Sequence, residues 1–174
     1  MPRPTIERPF PDEYAQFYGR YIIRITEGDA LPVLEEQGAG TQTLLRGVSE
    51  SRGDFRYAPG KWSIREVIGH LLDTERIFAY RALRFARNDR TPLPGFEQDD
   101  FVRYGGFGHR PLAELLAELS AVRGATVALF GGLSEEALLR RGVANDVELS
   151  VRAVAFIIAG HERHHVDILR SRYL

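Results

Sequence analysis

The chain has 174 residues, of which 44% are apolar and 10% aromatic, enough to build a sizeable core in one domain covering residues 1–174. Its 23 lysines and arginines balance 24 aspartates and glutamates, and the net charge of -1 excludes the basic excess that binds nucleic acid. Because cysteine is absent, disulfides, thiolate ligands and a thiol nucleophile are excluded, and only imidazole and carboxylate remain to bind a transition metal.

The hydropathy of the chain predicts neither a membrane span nor a secretory signal. No stretch reaches the roughly 18 consecutive apolar residues that a membrane helix needs. The start, MPRPTIERPFPDEYAQFY, lacks a basic region followed by a long apolar core. We therefore expect a cytoplasmic protein without a membrane partner.

Apolar residues recur at spacings of three and four in four long segments, and no segment shows sustained alternation, so the chain is predicted to be all-α. The first long helix is predicted over residues 29–45. A shorter helical stretch over residues 13–25 precedes it, and Gly28 separates the two.

Residues 63 to 131 contain two further long helices. Ser63 and Glu66 have the spacing of a capping box, which marks the start of the second helix. This helix is predicted to continue to about Asn88. Residues 89–108 are rich in proline and glycine and read as a loop with one short turn at 97–103. Pro111 suits a first helical position, and the third helix is predicted to end near Gly131.

The last part of the chain is predicted to hold one short and one long helix. Ser134 caps a short helix over residues 135–140, and the turn RGVANDVELS follows it. Ser150 then caps a final helix that reaches nearly to the C-terminus. Because long connections follow the first and second long helices, we expect a four-helix bundle.

The final helix carries three histidines within five positions. At about 100° per residue, His161 and His165 lie near the centre of its apolar stripe, one above the other, whereas His164 flanks the stripe. Two buried core histidines satisfied by hydrogen bonds are the simpler alternative, but each ring needs partners for both nitrogens. A shared metal ion satisfies one nitrogen of each ring, and we favour that interpretation.

A third ligand is available on the second helix. His70 lies at the edge of that helix's apolar stripe, where it can face a cleft shared with a neighbouring helix. His109 lies in the glycine-rich loop and is expected to be solvated. Glu75 projects into the middle of the stripe, so it either pairs with an arginine or supports the metal site indirectly.

The final helix also matches H-E-x-x-H, the pattern of zinc metalloproteases, with Glu162 in the position of the general base. Such enzymes commonly take a third ligand further along the chain. The nine residues after His165 contain no histidine, so a protease is not expected. Glu162 remains a candidate base for other chemistry.

Two segments together resemble the DinB/YfiT-like superfamily of metal-dependent enzymes. They are FRYAPGKWSIREVIGHLLDTERIFAYRALRFARNDRTPLPGFEQDDF and the closing AGHERHHVDIL. The resemblance covers the chain from about Ala30 to its end and implies an up-down-down-up bundle. It carries the family's metal triad onto His70, His161 and His165, with His164 as an extra residue, and it implies a divalent ion, usually nickel or zinc, in an open site at one end of the bundle.

The resemblance implies a homodimer and leaves the reaction open. Some relatives are transferases or isomerases that use a low-molecular-weight bacterial thiol as cosubstrate, which predicts a thiol transferase acting on a small molecule. There are two alternatives: a metal-dependent hydrolase, and a non-catalytic, stress-linked helical module with a structural ion. Apolar residues spread around the second helix, such as Phe78, Tyr80 and Phe85, favour the dimer. Arg76 and Arg163 could hold cosubstrate carboxylates, although we favour exposed salt bridges for both.

Overall fold

The computed structural model describes residues 3–174 and is built from four long helices with shorter elements between them. In chain order the elements are α1 (Gly19–Ile22), α2 (Ala30–Arg46), α3 (Ile64–Ala86), α4 (Gln98–Tyr104), α5 (Leu112–Gly131), α6 (Glu135–Leu139), β1 (Arg141–Ala144), β2 (Val147–Ser150) and α7 (Val151–Ile168). A π-helical turn, Leu169–Tyr173, continues α7. The predicted all-α four-helix bundle is confirmed.

The helices α3 and α5 run in the same direction. Arg65, near the start of α3, donates to the Arg110 carbonyl just before α5, and Arg123 pairs with Glu75 further along both helices. Both α2 and α3 pack against α5 and α7. In the bundle, α2 therefore lies diagonally opposite α3, and α5 lies diagonally opposite α7.

The last helix, α7, runs against α3. The Tyr173 hydroxyl donates to the Trp62 carbonyl at 2.7 Å, which joins the end of the chain to the residues before α3. The Leu34 carbonyl on α2 accepts a hydrogen bond from Arg123 on α5. Further along α2, Gln42 donates to the Leu116 carbonyl, which comes earlier on α5. The helices α2 and α5 are therefore antiparallel. The order is therefore up-down-down-up.

Two apolar clusters fill the bundle, with a polar layer between them. The first cluster includes Phe85, Phe130 and Phe156 and lies beside the β-hairpin. The second lies at the opposite end and includes Ile64, Ile68, Leu115 and Leu169. Along α3 the two clusters are separated by buried polar residues, which places charged side chains inside the bundle. Within residues 3–174, no helix has both the length and the apolar character that crossing a bilayer requires.

The predicted helix starts are observed as side-chain caps. Ser63 accepts from the Glu66 amide, and the Glu66 carboxylate accepts from the Ser63 amide, which completes the capping box. Ser134 and Ser150 cap α6 and α7, each accepting from the amide three residues on. The helix α5 begins one residue after Pro111. The short turn expected at 97–103 is α4.

Two local predictions are corrected, the first of them in part. The turn RGVANDVELS is an antiparallel hairpin in which Arg141 faces Ser150, and Asn145 and Asp146 both have positive φ, as a two-residue hairpin turn requires. Four-residue strands are too short to show alternation in sequence. The stretch 13–25 is mostly not α-helical: it holds 3-10 turns and the four-residue α1.

The dimer argument from the second helix is also corrected in part. Phe78 and Phe85 are buried, and both belong to the apolar cluster of their own chain. Tyr80 is half exposed, at 50%. Of these three residues, only Tyr80 therefore presents an apolar surface to a partner.

Candidate metal centre

The three histidines predicted from sequence lie together between α3 and α7. One donor nitrogen from each of His70, His161 and His165 lies within 4.8 Å of the other two. The Nε2 atoms of His70 and His161 are 2.9 Å apart. The antiparallel packing of α3 and α7 brings His70 opposite the last turns of α7, where His161 and His165 occupy successive turns of one face.

This donor set fits a divalent transition metal. Imidazole nitrogens about 2.05 Å from a tetrahedral ion are separated by about 3.3 Å, close to the observed spacing of the two Nε2 atoms. Binding requires uncharged rings. Burial is the largest effect on all three: it lowers the pKa of His70 to about 4 and of His165 to about 2, and holds that of His161 well below its usual value. Neighbouring histidines lower these pKa values further.

Thr74 contacts the ring nitrogen of His70 that faces away from His161. Its hydroxyl lies 3.4 Å from His70 Nδ1, one helical turn along α3. If Nδ1 carries the proton and donates it to the hydroxyl, Nε2 keeps its lone pair toward the cluster. A polar partner for the far nitrogen is the usual support of a metal-binding histidine.

Aromatic rings cover the cluster on two sides. The Trp62 ring centroid lies 4.7 Å from that of His70 and 6.5 Å from that of His165. The Tyr21 ring meets His161 edge-on at 5.3 Å. Trp62 belongs to the Pro-Gly-Lys-Trp-Ser segment that carried the family resemblance, but no sequence signal indicated Tyr21, because it approaches from the short α1.

The acidic residues near the cluster are bound to Arg123. Glu75 Oε2 lies 2.7 Å from Arg123 Nη2, and Glu162 Oε2 lies 2.7 Å from Arg123 Nη1. The other Glu162 oxygen accepts from Thr41 at 2.7 Å. The expectation that Glu75 pairs with an arginine is confirmed. Glu162, the acid of the H-E-x-x-H pattern, points into this network.

The remaining candidates lie outside the cluster. Arg76 pairs with Glu118, and Arg163 pairs with Glu27, so the expected salt bridges are confirmed for both. His109 is exposed, as expected for a loop residue. His164 is half-buried beside Tyr21 and stands next to the cluster without joining it.

A cavity of about 270 Å³ opens beside the histidines. Both His70 and His161 line it, together with Thr74. Its other walls come from α1 and its preceding turn, α3, the segment 95–98, the hairpin turn and α7. They include Phe17, Tyr18, Arg20, Tyr21, Phe78, Arg81, Phe96, Glu97 and Asn145. A small molecule in this cavity would lie next to the cluster.

Comparison with known proteins supports the same family. The sequence profile of the DinB superfamily matches residues 34–169, which include all three histidines. A protein of Oceanobacillus iheyensis named "Putative metal-dependent hydrolase OB0413" is 29% identical over 112 residues. That match covers 63% of this chain and 64% of the relative, so the chain matches slightly less than two thirds of the relative's length.

The fold also has a solved counterpart. YfiT from Bacillus subtilis, described as a probable metal-dependent hydrolase with an unusual four-helix bundle topology, superimposes with a TM-score of 0.70 at 18% identity. The superposition covers 94% of this chain and 93% of YfiT. At that identity the likeness shows the fold alone. Because the family profile spans most of the chain, including α3, α5 and α7, the protein belongs to the DinB superfamily.

Proposed function

We propose that His70, His161 and His165 hold a divalent metal ion and that the protein is a metal-dependent enzyme acting on a small molecule. The observation that carries the proposal is the convergence of three buried or half-buried imidazole donors beside a cavity. Zinc and nickel are the ions that the family resemblance implies, and both accept imidazole ligands. The names of the two relatives agree with a metal-dependent activity.

Three protein ligands are typical of a catalytic site, because they leave a coordination position open. A divalent ion held there supplies Lewis acidity, which lowers the pKa of a water or thiol at the open position. The side chains supply orientation and shielding. Thr74 orients the His70 ring, and Trp62 and Tyr21 cover the cluster on two sides.

Thiol transfer is the reaction that the side chains favour. The carboxylates of Glu75 and Glu162 are both engaged by Arg123, so neither is free to act as a general base, and Glu97, the carboxylate that lines the cavity, is exposed. A thiol, with a pKa near 8.5 against about 15.7 for water, loses its proton with far less assistance. We therefore propose that a low-molecular-weight thiol, acting as cosubstrate, gives up its proton and attacks an electrophilic carbon of a small molecule, so that a C–S bond forms as the leaving group departs with the electron pair of the broken bond.

Hydrolysis is the second candidate, and the printed names of both relatives favour it. It requires a proton acceptor other than Glu162. The half-buried His164, whose ring centroid lies 5.0 Å from that of His165, is a candidate. A hydrolase of this kind would depend on His164.

Metal analysis of the purified protein tests the ligand assignment. Wild type should bind about one divalent ion per chain, and the His161→Ala, His165→Ala double variant should bind none. His109→Ala is the matched control and should keep the wild-type content, because His109 is exposed and outside the cluster. Equal metal content in the double variant and wild type would refute the assignment.

A substrate panel separates the two reactions. Metal-loaded wild type and His165→Ala are assayed with several bacterial thiols and a reactive electrophile, and separately with simple esters and amides. Thiol-dependent turnover that is lost in His165→Ala supports the transferase. Ester or amide hydrolysis without thiol dependence, abolished by His164→Ala, replaces it with the hydrolase.

A further inference from the structure

Four arginines are buried in the structure, and they differ in how their charge is balanced. Arg65, Arg123 and Arg152 each form an ion pair with at least one carboxylate. Arg81 is the most deeply buried of the four, with 3% of its surface exposed, yet none of the carboxylates in residues 3–174 pairs with it. A buried charge without a counterion is costly, so its retention requires an explanation.

The contacts of Arg81 leave much of its hydrogen-bonding capacity unused. Its Nη2 atom donates to the Pro94 carbonyl at 3.0 Å. The guanidinium carbon lies 5.0 Å from the Phe78 ring centroid and 5.9 Å from that of Phe96. A guanidinium has five N–H donors, so most remain available. Burial lowers the pKa of Arg81, and Tyr18 offsets part of that effect by stabilising the charged form.

Arg81 lines the same cavity as His70 and His161. Arg20 adds a second positive charge to the cavity wall, with its guanidinium stacked 3.9 Å from the Phe17 ring centroid. Among the described residues that line the cavity, Glu97 is the one carboxylate, and it is exposed. The cavity therefore combines positive charge, aromatic walls and the histidine cluster.

We propose that Arg81 binds the carboxylate of a small planar acid, whose unsaturated or aromatic body lies against Phe78 and Phe96 beside the histidine cluster. A carboxylate matches the planar fork of a guanidinium and supplies the missing counterion. The cavity volume of about 270 Å³ suits a compact ligand. The inference that this acid is the substrate rests on the proposed function. The inference that Arg81 binds a carboxylate does not depend on it.

The ligand preference is tested first on the unmodified protein. Calorimetry measures binding of benzoate and of benzamide, which has nearly the same shape without the charge, to metal-loaded and to chelator-treated wild type. Benzoate should bind about tenfold more tightly in both forms, because a charge-assisted hydrogen bond is replaced by a neutral one. Equal affinities, or a preference seen only with metal, would overturn the proposal, since the metal rather than Arg81 would then hold the acid.

Substitution then assigns the preference to Arg81. Arg81→Met should lose it while keeping or raising the melting temperature, because an uncompensated buried charge is removed. Arg81→Lys retains a charge and should keep part of the preference. Arg76→Met, on the outer face of the same helix, is the matched control and should bind benzoate as wild type does.

The two proposals fail in different ways. Benzoate selectivity that persists in Arg81→Met, with the protein folded, overturns the carboxylate site whatever the metal content. If Arg81→Met does not fold, a reduced preference for benzoate in folded Arg81→Lys supports the site, and wild-type affinity of that variant for both ligands overturns it. Absence of metal from the histidines, with Arg81-dependent benzoate binding intact, refutes the proposed enzyme and leaves the carboxylate site standing.

Discussion

Arg123 Nη1 lies 2.7 Å from Glu162 Oε2 in the interior of the bundle. Both side chains are buried, and the same guanidinium also pairs with Glu75. Although Glu162 adjoins His161 in sequence, a step of about 100° along α7 turns its carboxylate away from the histidine cluster and toward α5. The H-E-x-x-H pattern thus places its acid in the packing of the bundle.

Replacement of Glu162 should affect stability more than metal binding. Glu162→Gln removes one charge-assisted hydrogen bond but leaves Arg123 paired with Glu75, and we expect a loss of about 1.5–3 kcal/mol in the free energy of unfolding. Urea unfolding and metal analysis measure the two effects. Glu27→Gln, which removes an exposed ion pair with Arg163, should cost no more than about 1 kcal/mol. Loss of metal from folded Glu162→Gln would contradict this placement.

Removal of the ion should leave the bundle folded. The two apolar clusters lie on either side of the histidines and do not include them, so their packing holds the helices without metal. Thermal unfolding should stay cooperative after chelation. The melting temperature should fall, because the folded state loses the stabilisation that the bound ion supplies, roughly 4 kcal/mol for an ion present at a thousand times its Kd. Unfolding on chelation would instead favour the non-catalytic module with a structural ion.

Gly160 permits close contact between α7 and α1. A Cβ atom at this position would lie 2.1 Å from the Tyr21 carbonyl oxygen, which is backbone and cannot rotate away. Gly160→Ala should therefore displace Tyr21, lower the free energy of unfolding by about 1–3 kcal/mol, and weaken metal binding at the adjacent His161. Urea unfolding and metal titration measure the two changes.

Gly124 provides the matched control for that substitution. It lies exposed within α5, and an added Cβ would meet no atom within 4 Å. Gly124→Ala should raise the free energy of unfolding by about 0.5–1 kcal/mol through helix propensity alone. Equal effects of the two substitutions would contradict the contact between Gly160 and α1.

Glu13 should contribute to acid sensitivity. Burial opposes its ionisation, but hydrogen bonds from Arg152, Ser150 and the Phe10 amide outweigh burial and lower the pKa of Glu13 from 4.5 to about 2. A carboxyl with a lowered folded-state pKa stabilises the protein above its unfolded pKa and loses that contribution as pH falls. The free energy of unfolding should fall between pH 4.5 and about 2, less steeply in Glu13→Gln. Identical pH slopes for both proteins would refute the assignment.

The homodimer remains a prediction, now with a defined surface. Tyr80 and Leu83 of α3 and Ala125 and Leu129 of α5 line an open apolar groove of about 540 Å³ on the outside of the bundle. We expect a dimer through this groove, dissociated by Leu83→Glu. Sedimentation of wild type at micromolar concentration checks it, and a single 19.7 kDa species would contradict the dimer.

Helix positions and the pairing of His161 with His165 could be predicted from the sequence because both depend on neighbours within about four residues. Capping residues such as Ser63 and Ser150 act on amides three positions away, and the i, i+4 spacing stacks two rings on one face. His70 was a candidate ligand from its stripe-edge position, and the family resemblance supported it, since that position alone does not say which helix it meets.

Tertiary structure decided which charges are balanced and which are not. Periodicity placed Glu75 in an apolar stripe without naming its partner, because Arg123 comes from a helix 48 residues away. Arg81 stands 11 residues after His70 and so on the same face of α3, but the sequence did not say what covers it: its guanidinium contacts the Pro94 carbonyl and the Phe96 ring, which come from the segment after α3. Contacts between distant segments depend on how the helices pack, and a one-dimensional pattern records the face of a helix but not what covers it.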